Sequence, residues 1–202
     1  MIGGGRCHLK HAAPLPDARI VKWTHTIFQF GPYSQAIYRS YRRQFRSLIR
    51  IYSMTDLIIR PITADDYKGW DPLYLGYAEF YKVASSVEKR RIVFDWVLDP
   101  NHVVEGLVIE RQGRLIGLAH YREMPRPLHG MMMGFLDDLF IAPDARGGGI
   151  GLIMFEHLKQ ICRDRGWTVM RWLTQDHNYR ARALYDQIGA KSLMNLYEMT
   201  VE

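Results

Sequence analysis

Four of the five residues from Gly147 to Gly151 are glycine, and the run Arg146-Gly-Gly-Gly-Ile-Gly151 separates two apolar segments of different rhythm. Before it, Phe135–Ile141 reads as a β-strand ended by Pro143; after it, Leu152, Phe155, Leu158, Ile161 and Cys162 mark one face of a helix closed by Gly166. The pattern therefore predicts a strand, a loop with almost no side chains, and a helix. Consecutive bare N–H groups in such a loop can converge on an anion, and the helix adds roughly half a positive charge at its N-terminus. A phosphate-bearing ligand is the functional reading. The plain alternative is a glycine-rich turn that only joins strand to helix.

The kind of phosphate ligand narrows by exclusion. A nucleotide P-loop ends in Gly-Lys-Ser/Thr, whereas this loop ends Gly149-Ile150-Gly151. A dinucleotide fingerprint would need glycine at 147, 149 and 152, and Leu152 fills the last of these. What remains is Arg146-x-x-Gly149-x-Gly151, which resembles the pyrophosphate loop of the Gcn5-related N-acetyltransferase (GNAT) superfamily. A second segment, Trp172-Leu-Thr-Gln-Asp-His-Asn178-Tyr-Arg-Ala181-Arg-Ala-Leu184-Tyr185-Asp-Gln-Ile-Gly189-Ala190, is similar to the other hallmark of that superfamily. The likeness extends to Trp70…Tyr74…Gly76-Tyr77…Phe80-Tyr81, to Gly117-Leu-Ala-His120-Tyr121 and to Leu136-Asp-Asp138-Leu-Phe140. It runs from Leu57 to the C-terminus and is nearest the branch related to histone and polyamine acetyltransferases.

From Leu57 the residue rhythm itself gives the element order βααβββαβαβ. Leu57-Ile58-Ile59 is a short strand, and Thr63-Ala64-Asp65-Asp66 has capping-box spacing ahead of a helix bearing Trp70, Leu73, Tyr77, Phe80 and Tyr81. Ser85-Ser86-Val87-Glu88 opens a second helix, and Val103–Glu110 with Leu115–Tyr121 reads as a hairpin around Gly113. Val169–Thr174 is a strand, Ala181–Ile188 a short helix, and Ser192–Thr200 a terminal strand. The resemblance implies an α/β (α+β) acyl-CoA N-acyltransferase fold, with a mixed central sheet flanked by helices.

The resemblance also implies a reaction. A neutral amine attacks the thioester of acetyl-CoA directly, with no covalent enzyme intermediate and no metal. Backbone groups of Leu139, Phe140 and Ile141 would polarise the acetyl carbonyl; Arg146, Gly147, Gly148, Gly149, Ile150 and Gly151 would hold the pyrophosphate; Asn178 would lie near the pantetheine arm. Tyr185 occupies the place of the general acid that protonates the departing thiolate, a task for a hydroxyl whose pKa exceeds that of the thiol. For two of these residues there is a bland reading: Arg146 as a surface arginine paired with Asp144, and Tyr185 as a core tyrosine. Asp137, Asp138, Glu79 and His120 are the candidates through which water could take the amine's proton. Strand alternation would send Asp137 and Asp138 to opposite faces, so that at most one meets the acceptor. His120 also reads as a satisfied strand histidine, and Cys162 as a core thiol.

Charge sets the domain reading. Residues 1–53 hold nine of the 27 Lys+Arg and, in Asp17, one of the 21 Asp+Glu, so residues 54–202 are mildly acidic. Ile37, Tyr41, Phe45, Leu48 and Tyr52 recur at helical spacing among arginines. We therefore divide the chain into a basic extension, 1–53, and an N-acetyltransferase domain, 54–202, with Met54 as a second possible start. The extension is open to three readings: a start-site artefact or loose appendage, an organelle-targeting segment, or an RNA- or membrane-surface arm. For the catalytic domain we expect an amine acceptor, either a small polyamine or amino compound or a protein lysine, with no nucleic-acid and no membrane partner. The two cysteines fall in unlike parts of the chain, and no apolar run approaches the roughly 20 residues that span a bilayer, which together read as cytoplasmic. In a homodimer, which related enzymes often form, the strand around Leu193–Val201 would be a natural contact, because strand edges invite pairing. The rival from another class is an acyl-CoA sensor that kept the fold and lost turnover.

Overall fold

The computed structural model describes residues 56–201. The basic extension read from the sequence lies outside the described residues. Five strands form one sheet in the order β1-β2-β3-β4-β5: β1 Leu57–Pro61, β2 Val104–Arg111, β3 Arg114–Arg126, β4 Met131–Ile141 and β5 Met170–Trp172. The first four pair antiparallel and β5 pairs parallel to β4. The helices are α1 Tyr67–Phe80, α2 Val87–Leu98, α3 Ile150–Asp164 and α4 Tyr179–Ile188. This is the mixed sheet with flanking helices expected from the sequence, one strand short.

Local chemistry explains the helix starts. Asp66 Oδ2 accepts from the Thr63 N–H at 2.8 Å and the Thr63 hydroxyl at 2.9 Å, which fixes the turn that leads into α1. Ser86 Oγ accepts from Lys89 N at 3.2 Å and opens α2. The buried Arg90 joins the two helices by donating from Nε to Asp71 Oδ1 at 2.7 Å and from a terminal nitrogen to Ser85 O at 3.2 Å.

Helices cover both faces of the sheet. His120 and Gly106, cross-strand partners, look toward Trp70 of α1 and Val97 of α2. Tyr121, one residue along, looks toward Arg165 and Cys162 at the end of α3. The core runs through the sheet, with Trp70, Phe94 and Leu118 on one side and Met154, Leu158 and Trp167 associated with α3.

Two departures matter for the site. The hairpin of β3 and β4 is longer than its apolar runs indicated, pairing as far as Arg126 with Met131, because its outer residues are held by each other and not by a core. The expected strand at Ser192–Thr200 is absent: no element follows α4 in the described residues, and Leu193 is 100 % and Met199 89 % exposed. A strand needs a partner for its N–H and C=O groups, and among the described residues none pairs with this segment.

Candidate active site

Strands β4 and β5 touch only briefly. Gly134, Phe135 and Leu136 pair with Met170, Arg171 and Trp172, and β4 then continues to Ile141 with no strand of the described residues beside it on that edge. The backbone of Leu139, Phe140 and Ile141 therefore lines an opening between the two strands. Gly134 makes the close approach before the opening: a Cβ there would come within 2.9 Å of the Trp167 ring and 2.7 Å of Met170 Cε.

The glycine loop sits at the end of β4. Gly147, Gly148 and Gly149 take φ values of +109°, +61° and +86°, and a Cβ on Gly147 or Gly148 would meet nothing within 4 Å. The glycines there serve the backbone turn, since space is open. Helix α3 starts at Ile150, and its first i→i−4 bond runs from Ile153 N to Gly149 O at 3.0 Å, which leaves the N–H groups of Gly151 and Leu152 without an intrahelical acceptor. Gly151 also allows α4 to close on α3, its missing Cβ lying 2.9 Å from Leu184 Cδ2.

Arg146 is not the surface partner of Asp144. Asp144 instead pairs with Arg114 at 2.8 Å, and Arg146 Nε donates to Ile141 O at 2.9 Å while its guanidinium lies 5.4 Å from the centre of the Phe140 ring. Among the described residues no carboxylate pairs with Arg146. Burial and then the nearby Arg180 charge pull its pKa down, so the cation here lacks a counter-charge. The loop, the free helix N-terminus and this arginine fit a pyrophosphate.

From the α3 side, Tyr185 packs edge-on against Phe155 at 5.6 Å and Trp172 at 5.5 Å. Burial pushes its hydroxyl up to about 12, with the neighbouring Tyr81 a further cause, so it stays protonated in neutral solution. Asn178 caps α4: Oδ1 accepts from Ala181 N at 3.4 Å and Nδ2 donates to Thr174 Oγ1 at 3.0 Å. These two bonds shape the turn that delivers Tyr185.

From the α1 side come both acids. The β3–β4 register shifts at Asp137: Leu136 opposes Tyr121, but Asp138 opposes His120. That bulge adds one residue to β4, so alternation does not separate the two carboxylates. Asp138 Oδ2 lies 2.8 Å from His120 Nδ1 and accepts from the Tyr74 hydroxyl at 3.3 Å. Asp137 Oδ2 accepts from Arg122 Nε at 3.1 Å, and Arg122 stands two residues beyond His120 on the same face. The alternation expected to send the two acids to opposite faces does not hold, for this reason. Desolvation raises the Asp137 carboxyl pKa against the opposing pull of Arg122. Glu79 lines a cleft of about 890 Å³ between α1, Gly113–Leu115 and Arg146, away from the two acids.

Sequence reasoning saw the tyrosines of α1 but not their job. Tyr74 and Tyr77 face Asp138, and burial first, then the charge of Asp138, drives both phenol pKa values upward. The signal available was the pair Asp137-Asp138 inside an apolar strand, which breaks a two-residue alternation. Among the described residues no group of three or more His, Cys, Asp or Glu is placed to hold a metal ion.

Comparison with known proteins bears on this geometry. The acetyltransferase (GNAT) family matches residues 70–190. The D-amino-acid N-acetyltransferase HPA3 of Saccharomyces cerevisiae is 26 % identical over 144 residues, 70 % of this chain and 89 % of the yeast protein. The uncharacterised N-acetyltransferase YhfO of Bacillus subtilis is 30 % identical over 131 residues, 65 % of this chain and 87 % of that one. Among solved structures, AAC(6')-Iy in complex with the bisubstrate analogue CoA-S-monomethyl-acetylneamine superposes with a TM-score of 0.62 at 14 % identity, covering 72 % of this chain and 98 % of its own, a likeness of fold alone.

Proposed function

The chain belongs to the acetyltransferase (GNAT) family, and on that premise we propose that it transfers an acetyl group from acetyl-CoA to a primary amine by direct attack. The observation that carries this is the opening between β4 and β5. At its end stand three successive left-handed glycines and an arginine that has no counter-charge among the described residues, and a half-buried, protonated Tyr185 flanks it.

Acetyl-CoA supplies an activated acyl group as a thioester. In this reading Arg146 and the N–H groups of Gly147–Leu152 bind its pyrophosphate, and the open edge of Leu139–Ile141 offers backbone donors to the acyl oxygen. The amine nitrogen forms the new C–N bond as the C–S bond breaks. Tyr185 gives its hydroxyl proton to the sulfur as the C–S bond breaks and regains one from water; held at about 12 it stays protonated until then, and as a weaker acid than a thiol at about 8.5 it gives the proton up only in concert with the nitrogen's loss of its own. An acceptor that arrives as a cation gives one proton to water before it attacks, and the second leaves as the C–N bond forms, through water to a carboxylate on the α1 face, Asp138 or Asp137. Those acids and the rings of Tyr74, Tyr77 and Tyr81 suit an acceptor that arrives as a cation, whether a small polyamine, an amino compound or a protein lysine.

Residues 54–202 form the catalytic unit in this reading, and a homodimer joins through Leu193–Val201. The dimer is supported by the exposure of Tyr197 (86 %) and Leu193 (100 %) and by the outer edge of β5, which pairs with no strand among the described residues.

The test is free-thiol release from acetyl-CoA with a panel of primary amines, with Tyr185→Phe in parallel. Amine-dependent release that falls roughly 10²-fold in the variant supports the assignment. Unchanged turnover in Tyr185→Phe removes Tyr185 from the chemistry, and acetyl-CoA binding without amine-dependent release returns the sensor reading.

A further inference from the structure

His120 is 1 % exposed and held at both ring nitrogens. An indole N–H can only donate, and Trp70 Nε1 lies 3.1 Å from His120 Nε2. Nε2 therefore accepts, and the ring carries its proton on Nδ1, 2.8 Å from Asp138 Oδ2. The other neutral tautomer would set the Nδ1 lone pair against a carboxylate oxygen and the Nε2 proton against the indole proton. A doubly protonated ring would keep the second of these conflicts. Trp70 thus selects the neutral form of His120 that donates from Nδ1 to Asp138.

The two acids that the bulge brings to one face are held differently. Asp137 is offset by the Arg122 cation, whereas the hydrogen bonds of Asp138 come from neutral groups, His120 and Tyr74. The bonds from His120 and Tyr74 both end on Oδ2, and the neutral phenol of Tyr77 also approaches the carboxylate, so no cation pairs with Asp138 among the described residues. The surroundings are closely packed. Trp70 stacks on Tyr74 at 4.7 Å, His120 lies edge-on to Tyr74 at 5.1 Å, and Phe94 of α2 packs 5.1 Å from Trp70. The charged and titratable groups around the ring are Asp138 and Asp137 from β4, Arg122 from β3, and Tyr74 and Tyr77 from α1.

We infer that Trp70 and His120 are positioning residues that act through Asp138: the Trp70→His120→Asp138 chain of hydrogen bonds fixes the tautomer, aims the Asp138 carboxylate at the incoming amine, and makes Asp138 rather than Asp137 the group that takes its proton. This rests on the proposed acetyl transfer. The proton leaves nitrogen as the C–N bond forms and reaches Asp138 directly or through one water; His120 keeps its own proton throughout.

Two measurements on the full chain decide it. In ¹⁵N-imidazole spectra the His120 signal of the parent should show a protonated Nδ1 and a bare Nε2, and Trp70→Phe should lose that fixed preference. Kinetically, kcat should fall about 10-fold in Trp70→Phe and roughly 10²-fold in His120→Leu, with the KM for acetyl-CoA held within about twofold. His120→Asn, whose amide nitrogen can stand in for Nδ1, should recover most of the loss. Asp138→Asn should be far more damaging than Asp137→Asn. A proton found on Nε2, equal damage from the two aspartate variants, or unchanged kcat in a folded Trp70→Phe protein would overturn the inference. If His120→Leu does not fold, the spectrum of the parent and the Trp70→Phe rate still decide. Failure of the proposed function is distinct, because the parent enzyme itself would then release no thiol with any amine.

Discussion

A single methyl group added at Gly148 tests whether the loop's backbone geometry is what binds the donor. Gly148 has φ +61° and a Cβ there would meet nothing within 4 Å, so Gly148→Ala adds no clash and its whole effect is conformational. An L-residue in the left-handed region costs about 1–2 kcal/mol. Gly130, at the β3–β4 turn, provides the matched control, with φ +59° and equally open space. In Gly130→Ala the penalty should appear wholly as lost stability, read from urea unfolding. In Gly148→Ala it divides. Whatever part the free loop relieves by twisting its N–H groups away must be restored when acetyl-CoA binds. If the loop relaxes fully, 1–2 kcal/mol translates to a KM for acetyl-CoA raised about 5–30-fold, with kcat at saturation nearly unchanged. Thiol release measured against acetyl-CoA concentration at saturating amine reads this directly. A KM within twofold of the parent in Gly148→Ala, or the same KM change in Gly130→Ala, would refute the idea that these N–H groups hold the donor.

Other outcomes follow from the same structure. The Tyr185 pKa is raised to about 12 in the folded protein from an unfolded value of 10, so the native state keeps a proton that the unfolded chain loses; stability should be fully present below pH 10 and drop by about 2–3 kcal/mol between pH 10 and 12 from this group alone. Tyr74, Tyr77 and Tyr121 shift in the same direction and steepen that loss, which alkaline unfolding followed by tyrosinate absorbance would show. Asp71→Asn removes the partner of the buried Arg90 and should destabilise the domain by about 3–5 kcal/mol, measured by urea unfolding; Arg90→Met in the same background should recover part of it. Tyr197→Asp with Leu193→Asp should convert a dimer to a monomer in sedimentation without changing the far-ultraviolet dichroism; a parent that sediments as a monomer at tens of micromolar would remove the dimer.

The glycine loop, its flanking strand and helix, and the turn from Asn178 to Tyr185 were legible in sequence because each is a local device. Positive φ demands glycine, an N-cap demands Asn or Ser, and a helix face repeats every three to four residues, so the residues themselves carry the signal. The order of the first nine elements followed for the same reason. The terminal strand did not: apolar, β-prone residues at 192–200 describe a strand only when another strand lies alongside. The acids are the clearest case of what sequence withheld. Asp137 and Asp138 were visible as a pair, but their faces depended on a bulge set by the pairing of β3 with β4, and their roles on which partners reached them. Arg122 stands 15 residues from Asp137, His120 18 residues from Asp138, and Trp70 50 residues from His120. Contacts at that separation are fixed by register and by the packing of α1 on the sheet. Local propensity therefore located the glycine loop, and tertiary structure decided which carboxylate pairs with a cation and which meets an imidazole.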